Sequence, residues 1–197
     1  FSHMKKLSKL SIFDECMNPE LSENEMRETV GGNGGDYSQN WCFFNCMAYL
    51  HKEYRGYNID ASSIATDYFQ GTANTNDDWN GTGDIKDYAY GPMAYTDKER
   101  TTPNQELFDY MSNYFETDTG SWEQNKVSSL FNKNGSTASG EYVVGIFGSS
   151  SGKYHAVIFE SYSDGKYKYY DPSYKTESTV DEKYVQFAGK VTGYKDF

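Results

Sequence analysis

Lys153-Tyr-His-Ala-Val-Ile-Phe-Glu-Ser-Tyr-Ser-Asp-Gly-Lys-Tyr-Lys-Tyr-Tyr-Asp171-Pro172 holds two strand-like runs on either side of Asp164-Gly165, and it reads as a β-hairpin. His155 stands near its start and Asp171 at its end. The two ends of a hairpin are neighbours in space, so this stretch brings an imidazole and a carboxylate together. Side chains alternate along a strand, which makes the register decisive. A two-residue turn at Asp164-Gly165 pairs Ser163 with Lys166 and puts His155 and Asp171 on opposite faces. A three-residue turn, or a bulge, aligns them on one face, and that arrangement is expected. Asp171 then accepts from one ring nitrogen and fixes the tautomer, leaving the other nitrogen to serve a nucleophile.

Working outward, period-two patterning marks further strands at Glu141 to Phe147, Tyr154 to Tyr162, Lys166 to Tyr170 and Tyr184 to Val191. Upstream the period is helical. Phe43, Cys46, Met47, Leu50 and Tyr54 recur on one face before Gly56, which predicts a central helix opening at Cys42. A second helix is predicted from Asp60 as N-cap through Ile64, Ala65 and Tyr68 to near Gly71. Residues 71–101 are rich in Gly, Asn, Asp and Thr without a sustained period, and a loop of that length inside a small domain is usually functional or mobile. Thr102-Pro103-Asn104-Gln105 opens a helix carrying Leu107, Phe108, Met111, Tyr114 and Phe115. Another helix is expected from Ser121 through Trp122, Val127, Leu130 and Phe131 to Asn134-Gly135. Helices first and antiparallel strands afterwards give an α+β fold.

A cysteine nucleophile works as a thiolate, and a helix N-terminus with an imidazole beside it lowers the thiol pKa from about 8.5 towards 3.5–7.5. Cys42 occupies such a position. Cys46, one turn later, fits a small buried apolar residue, because a disulfide to Cys42 at this spacing is strained. His51 lies nine residues after Cys42, half a turn out of phase, and points away from the thiol. The candidate catalytic residues are therefore Cys42 as nucleophile, His155 as base and then acid, and Asp171 as the group that orients the imidazole.

At these positions the chain resembles the papain-like cysteine peptidases of bacteria, the staphopains in particular. The matching residues are Trp41-Cys42 opening the helix with Met47-Ala48 beyond it, then Tyr154-His155-Ala156-Val157 and Asp171-Pro172. The resemblance implies a papain-like domain in which the cysteine helix lies against a C-terminal antiparallel sheet. It also implies hydrolysis of peptide or protein substrates through a thioester acyl-enzyme, without a cofactor. One departure concerns the oxyanion. Family members carry a glutamine about six residues before the cysteine, where this chain has Asp36. Gln39 is the expected oxyanion partner instead. If Cys46 were the nucleophile, Asn40 and Gln39 would lie six and seven residues upstream. The His155 to Pro172 segment is also similar to transglutaminase-like proteins, which pass the acyl group to an amine. A catalytically inactive papain-like binding or toxin protein is the non-enzymatic alternative.

The rest of the chain bounds the context. In 197 residues there is room for one domain with a buried core, and the formal charge of −11 argues against a nucleic-acid surface. An aromatic share of 17% is too high for an acidic disordered chain, and no apolar run approaches the roughly 20 residues of a membrane span. Three cysteines do not make a disulfide framework or a zinc ribbon. Phe1-Ser2-His3 reads as a cloning remnant, with residues 4–32 as a separate segment and 33–197 as the domain. Ser22 with Glu25 forms a capping box, Leu21, Met26 and Val30 share a helical face, and Gly31-Gly32 ends the helix. This segment resembles the double-glycine leaders of bacteriocin-type precursors. The resemblance implies cleavage after Gly32 by the peptidase domain of a dedicated ABC exporter and action outside the cytoplasm. Finally, Asn76, Asp78, Asn80, Thr82, Asp84 and Asp87 are spaced like an EF-hand loop, so the 76–87 segment is a weak calcium candidate.

Overall fold

A computed structural model describes residues 42–71, 105–122, 124–148 and 154–195. Helix α1 (Cys42–Arg55) buries Phe43, Phe44, Cys46, Met47, Leu50 and His51. It stops where Gly56, at φ +70°, donates its N–H to the Lys52 carbonyl at 2.7 Å, a left-handed cap that glycine adopts without strain. Lys52 and Arg55 in the last turn complement the negative end of the helix dipole. Helix α2 (Ala61–Gly71) begins as expected after Asp60, whose carbonyl accepts from the Ile64 N–H. Helix α3 (Gln105–Ser112) contributes Leu107, Phe108 and Met111 to the core.

Six strands form one antiparallel sheet: β1 (Phe115–Thr117), β2 (Tyr142–Gly148), β3 (Tyr154–Ser163), β4 (Lys166–Asp171), β5 (Thr176–Asp181) and β6 (Val185–Tyr194). Their order is β1-β6-β2-β3-β4-β5. Each face has its own apolar cluster. On one face the helices pack, joining Phe44, Met47, Leu50 and Phe108 to Val144, Ile146, Ala156, Ile158 and Phe187. On the other face Val143, Phe147, Val157, Phe159, Tyr167 and Tyr169 lie under Val127, Leu130 and Phe131. Strand β2, covered on both sides, is buried from Val143 to Gly148, which is why its sequence is a continuous apolar run. The fold class is thus α+β, as expected.

Two upstream expectations need correction. The third helix ends at Ser112 rather than continuing through Phe115, because Phe115 opens β1 and pairs with Tyr194 of β6. The fourth is not an α-helix from Ser121. Trp122 sits at φ +68°, incompatible with a helix, and is held there by its N–H on the Ala188 carbonyl and by its ring, stacked on Phe108 at 4.0 Å. A 3-10 segment (Gln124–Leu130) follows, and it still buries Val127 and Leu130. Strand β5 was not anticipated. It is an edge strand with one buried residue, Val180, so it lacks an alternating apolar signature.

Candidate active site

The hairpin of β3 and β4 turns through Asp164 at φ +52° and Gly165 at φ +73°, the two-residue geometry that Asp-Gly favours. Ser163 pairs with Lys166, the register that by itself would separate His155 from Asp171. The ladder shifts between Phe159, opposite Tyr169, and Ser161, opposite Lys168. Glu160 is the extra residue, a β-bulge. This one-residue slip moves Asp171 onto the face of His155, so of the two expected solutions the bulge is the one adopted.

His155 and Asp171 are both buried, and His155 Nε2 lies 2.6 Å from Asp171 Oδ2. Asp171 Oδ1 accepts from the Ser173 N–H at 2.8 Å and more distantly from the Tyr174 N–H at 3.4 Å. Both carboxylate oxygens are therefore engaged as acceptors. Lys175 N–H closes the turn on the Asp171 carbonyl at 2.7 Å. The imidazole is held between Phe147, edge-on at 5.7 Å, and Tyr174, stacked at 5.9 Å. Ser173, Tyr174 and Phe147 were not singled out in the sequence. The signal for the first two was present in Asp171-Pro172-Ser173-Tyr174, since an aspartate ahead of Pro-Ser readily accepts from the backbone two residues on.

Cys42 is the first residue of α1 and 8% exposed. The first turn of α1 holds no acidic side chain, so the positive end of the helix dipole is left to act on the thiol. His155 is the second residue of β3 and Asp171 the last of β4, so the three groups assemble where the elements end. With Nε2 committed to Asp171, Nδ1 is buried without a hydrogen-bond partner among protein donors and acceptors of ordinary geometry. Burial opposes a charged ring, yet the Asp171 carboxylate and the Cys42 side chain outweigh it and push the His155 pKa up to about 10. The ring is thus cationic at neutral pH, the state that pairs with a thiolate.

Cys46 is buried one turn below. Burial, Cys42 and Asp171 all push its thiol well above the ordinary range, which keeps it neutral and suits the core position expected for it. His51 faces the other way, its Nδ1 3.0 Å from the Tyr194 hydroxyl and its ring against Tyr114, Phe115 and Tyr194. Burial lowers its pKa. Gln39 and Asn40, the Gly31-Gly32 pair and the 76–87 loop lie outside the described residues, as does Trp41. Among the described residues no helix is long and apolar enough to cross a membrane. Comparison with protein-family models, curated proteins and solved structures finds no match to this chain.

Proposed function

We propose that the chain is a cysteine peptidase of papain-like design. The observation that carries the reading is the convergence of a helix-initial thiol with a buried imidazole whose far nitrogen is bonded to a carboxylate at 2.6 Å. The Cys42 thiolate attacks a peptide carbonyl, and the negative charge passes to the carbonyl oxygen. The Cys42 backbone N–H, at the N-terminus of the helix, is the proposed first donor to that oxygen, and Gln39 is the proposed second. His155 gives its proton to the leaving amine as the C–N bond breaks, leaving a thioester. It then takes a proton from water, whose oxygen attacks the thioester carbon, and the carboxylic acid product leaves with the thiolate restored. Asp171 holds the ring orientation throughout.

Residues 4–32 are proposed as a double-glycine leader removed after Gly32 by an ABC exporter, which places the 33–197 domain outside the cytoplasm. One experiment tests the enzymatic core. The full chain and a form starting at Asn33 are treated with a thiol-directed epoxide probe and assayed on casein and a peptide library, with a primary amine present in a parallel series. Selective labelling of Cys42 and cleavage that Cys42→Ala abolishes are expected. Amine incorporation without hydrolysis would assign acyl transfer instead, and no selective labelling would leave the triad without a catalytic role.

A further inference from the structure

Asn45 lies one helical turn beyond Cys42 on the same side of α1. Its side-chain amide donates to the Ser173 hydroxyl at 3.1 Å, across 128 residues of sequence. Ser173 in turn gives its N–H to Asp171 Oδ1, and Asp171 Oδ2 holds His155. A continuous polar chain therefore runs from the helix that carries the thiol, through the turn that carries the carboxylate, to the imidazole.

The far end of α1 is tied to β6 by His51 Nδ1, 3.0 Å from the Tyr194 hydroxyl, and by the Tyr54 hydroxyl on the Val191 carbonyl at 3.5 Å, whereas the middle of the helix meets the sheet through Phe44, Met47 and Leu50, and apolar contact is non-directional. It holds the helix down without registering its Cys42 end against the Asp171 turn. A hydrogen bond does register it. Misplacing a reacting group by about 1 Å costs on the order of 100-fold in rate, so a thiolate and imidazolium on different elements need such a tie.

We propose that Asn45 is a positioning residue, registering the Cys42 helix against the Asp171 turn through Ser173. This rests on the cysteine-peptidase reading and adds to it a residue that does not touch substrate. Asn45 is half-buried and borders a groove of about 710 Å³ shared with Tyr49, Tyr170, Pro172 and Lys175, so truncating it opens onto existing space and leaves no sealed void.

The test follows the rate of Cys42 alkylation by iodoacetamide against pH in the full chain, located by peptide mass mapping. Asn45→Ala and Ser173→Ala are each expected to slow alkylation about tenfold at pH 6 and to move the profile towards that of a free thiol. The double variant should be no worse than either single one, because both remove the same bond. Ser173→Thr, which keeps the hydroxyl, recovers most of the rate. Additive losses, an unchanged profile in Asn45→Ala, or a Ser173→Thr loss equal to that of Ser173→Ala overturn the proposal. His155→Ala separates the two levels. If it leaves the Cys42 profile unchanged, the peptidase reading fails and this role with it; if it flattens the profile while Asn45→Ala does not, only the positioning role is wrong.

Discussion

Asp171→Asn is the sharpest perturbation of this site, because both oxygens of this carboxylate are already committed as acceptors. The carboxylate accepts on both oxygens, from His155 at 2.6 Å and from the Ser173 N–H at 2.8 Å, with Tyr174 N–H near the second oxygen. An amide offers one oxygen and one NH2. If the oxygen turns to His155, the NH2 meets the backbone N–H groups of the turn, and one well-formed bond and one long bond are lost. If it turns to the backbone, the NH2 meets Nε2, which becomes an acceptor by moving the ring proton to Nδ1. That second arrangement loses no bond, and it leaves the nitrogen facing Cys42 already protonated in a neutral ring, the wrong tautomer for taking a proton. A buried donor left unpaired costs about 1–3 kcal/mol, and about 1.4 kcal/mol is a factor of ten, so the productive arrangement falls to roughly a tenth to a hundredth of the molecules. Peptide hydrolysis should drop by at least that factor. The Cys42 alkylation midpoint should climb towards about 8.5, the range of an ordinary thiol. The thermal midpoint at neutral pH should fall, since the neutral amide removes the carboxylate that stabilises a cationic His155 in the folded state. Wild-type hydrolysis and a wild-type alkylation profile in Asp171→Asn would refute the reasoning, for they would mean that the second carboxylate oxygen does no orienting.

Other outcomes follow from the same geometry. Cys46→Ala should keep selective labelling at Cys42 while lowering stability by about 1 kcal/mol, as expected for a small core truncation read by urea unfolding. The histidines should set opposite edges of the stability profile. His51, with its pKa lowered by burial, contributes stability that is present above its unfolded value near 6.5 and is lost as pH falls through its folded value. His155, raised to about 10, contributes stability present below about 6.5 and lost as pH rises through about 10. Unfolding midpoints measured from pH 4 to pH 10 should show the acid limb flattened in His51→Gln and the alkaline limb flattened in His155→Gln. Gly165→Val, forced to φ +73° in the hairpin turn, should cost about 1–2 kcal/mol in urea unfolding, whereas substitution of the neighbouring Lys166 should cost little.

What the sequence makes legible here depends on how each element is stabilised. Helix α1 and strand β4 bury apolar side chains at regular intervals, and β2 is an unbroken apolar run, so these elements are written in the residues. Strand β5 earns its place through backbone bonds to β4 with only Val180 buried, and such pairing leaves no trace in the side-chain pattern. The segment after Ser121 carries helical spacing in Val127, Leu130 and Phe131, but Trp122 is pinned to β6 in a left-handed conformation, and that tertiary contact overrides the local preference. The bulge at Glu160 shows a third case. Nothing in Phe159-Glu160-Ser161 announces an extra residue by composition. It becomes legible only when His155 and Asp171 are required to share a face across a turn, Asp164-Gly165, whose chemistry already dictates two residues. The requirement of the site thus reveals an irregularity of the backbone that propensity does not contain. Conversely, deleting Glu160 would restore a regular ladder in which Phe159 still faces Tyr169 and Ile158 still faces Tyr170, so His155 and Asp171 should stay on one face; a Glu160 deletion that loses Cys42 labelling would show that the bulge does more than set this parity.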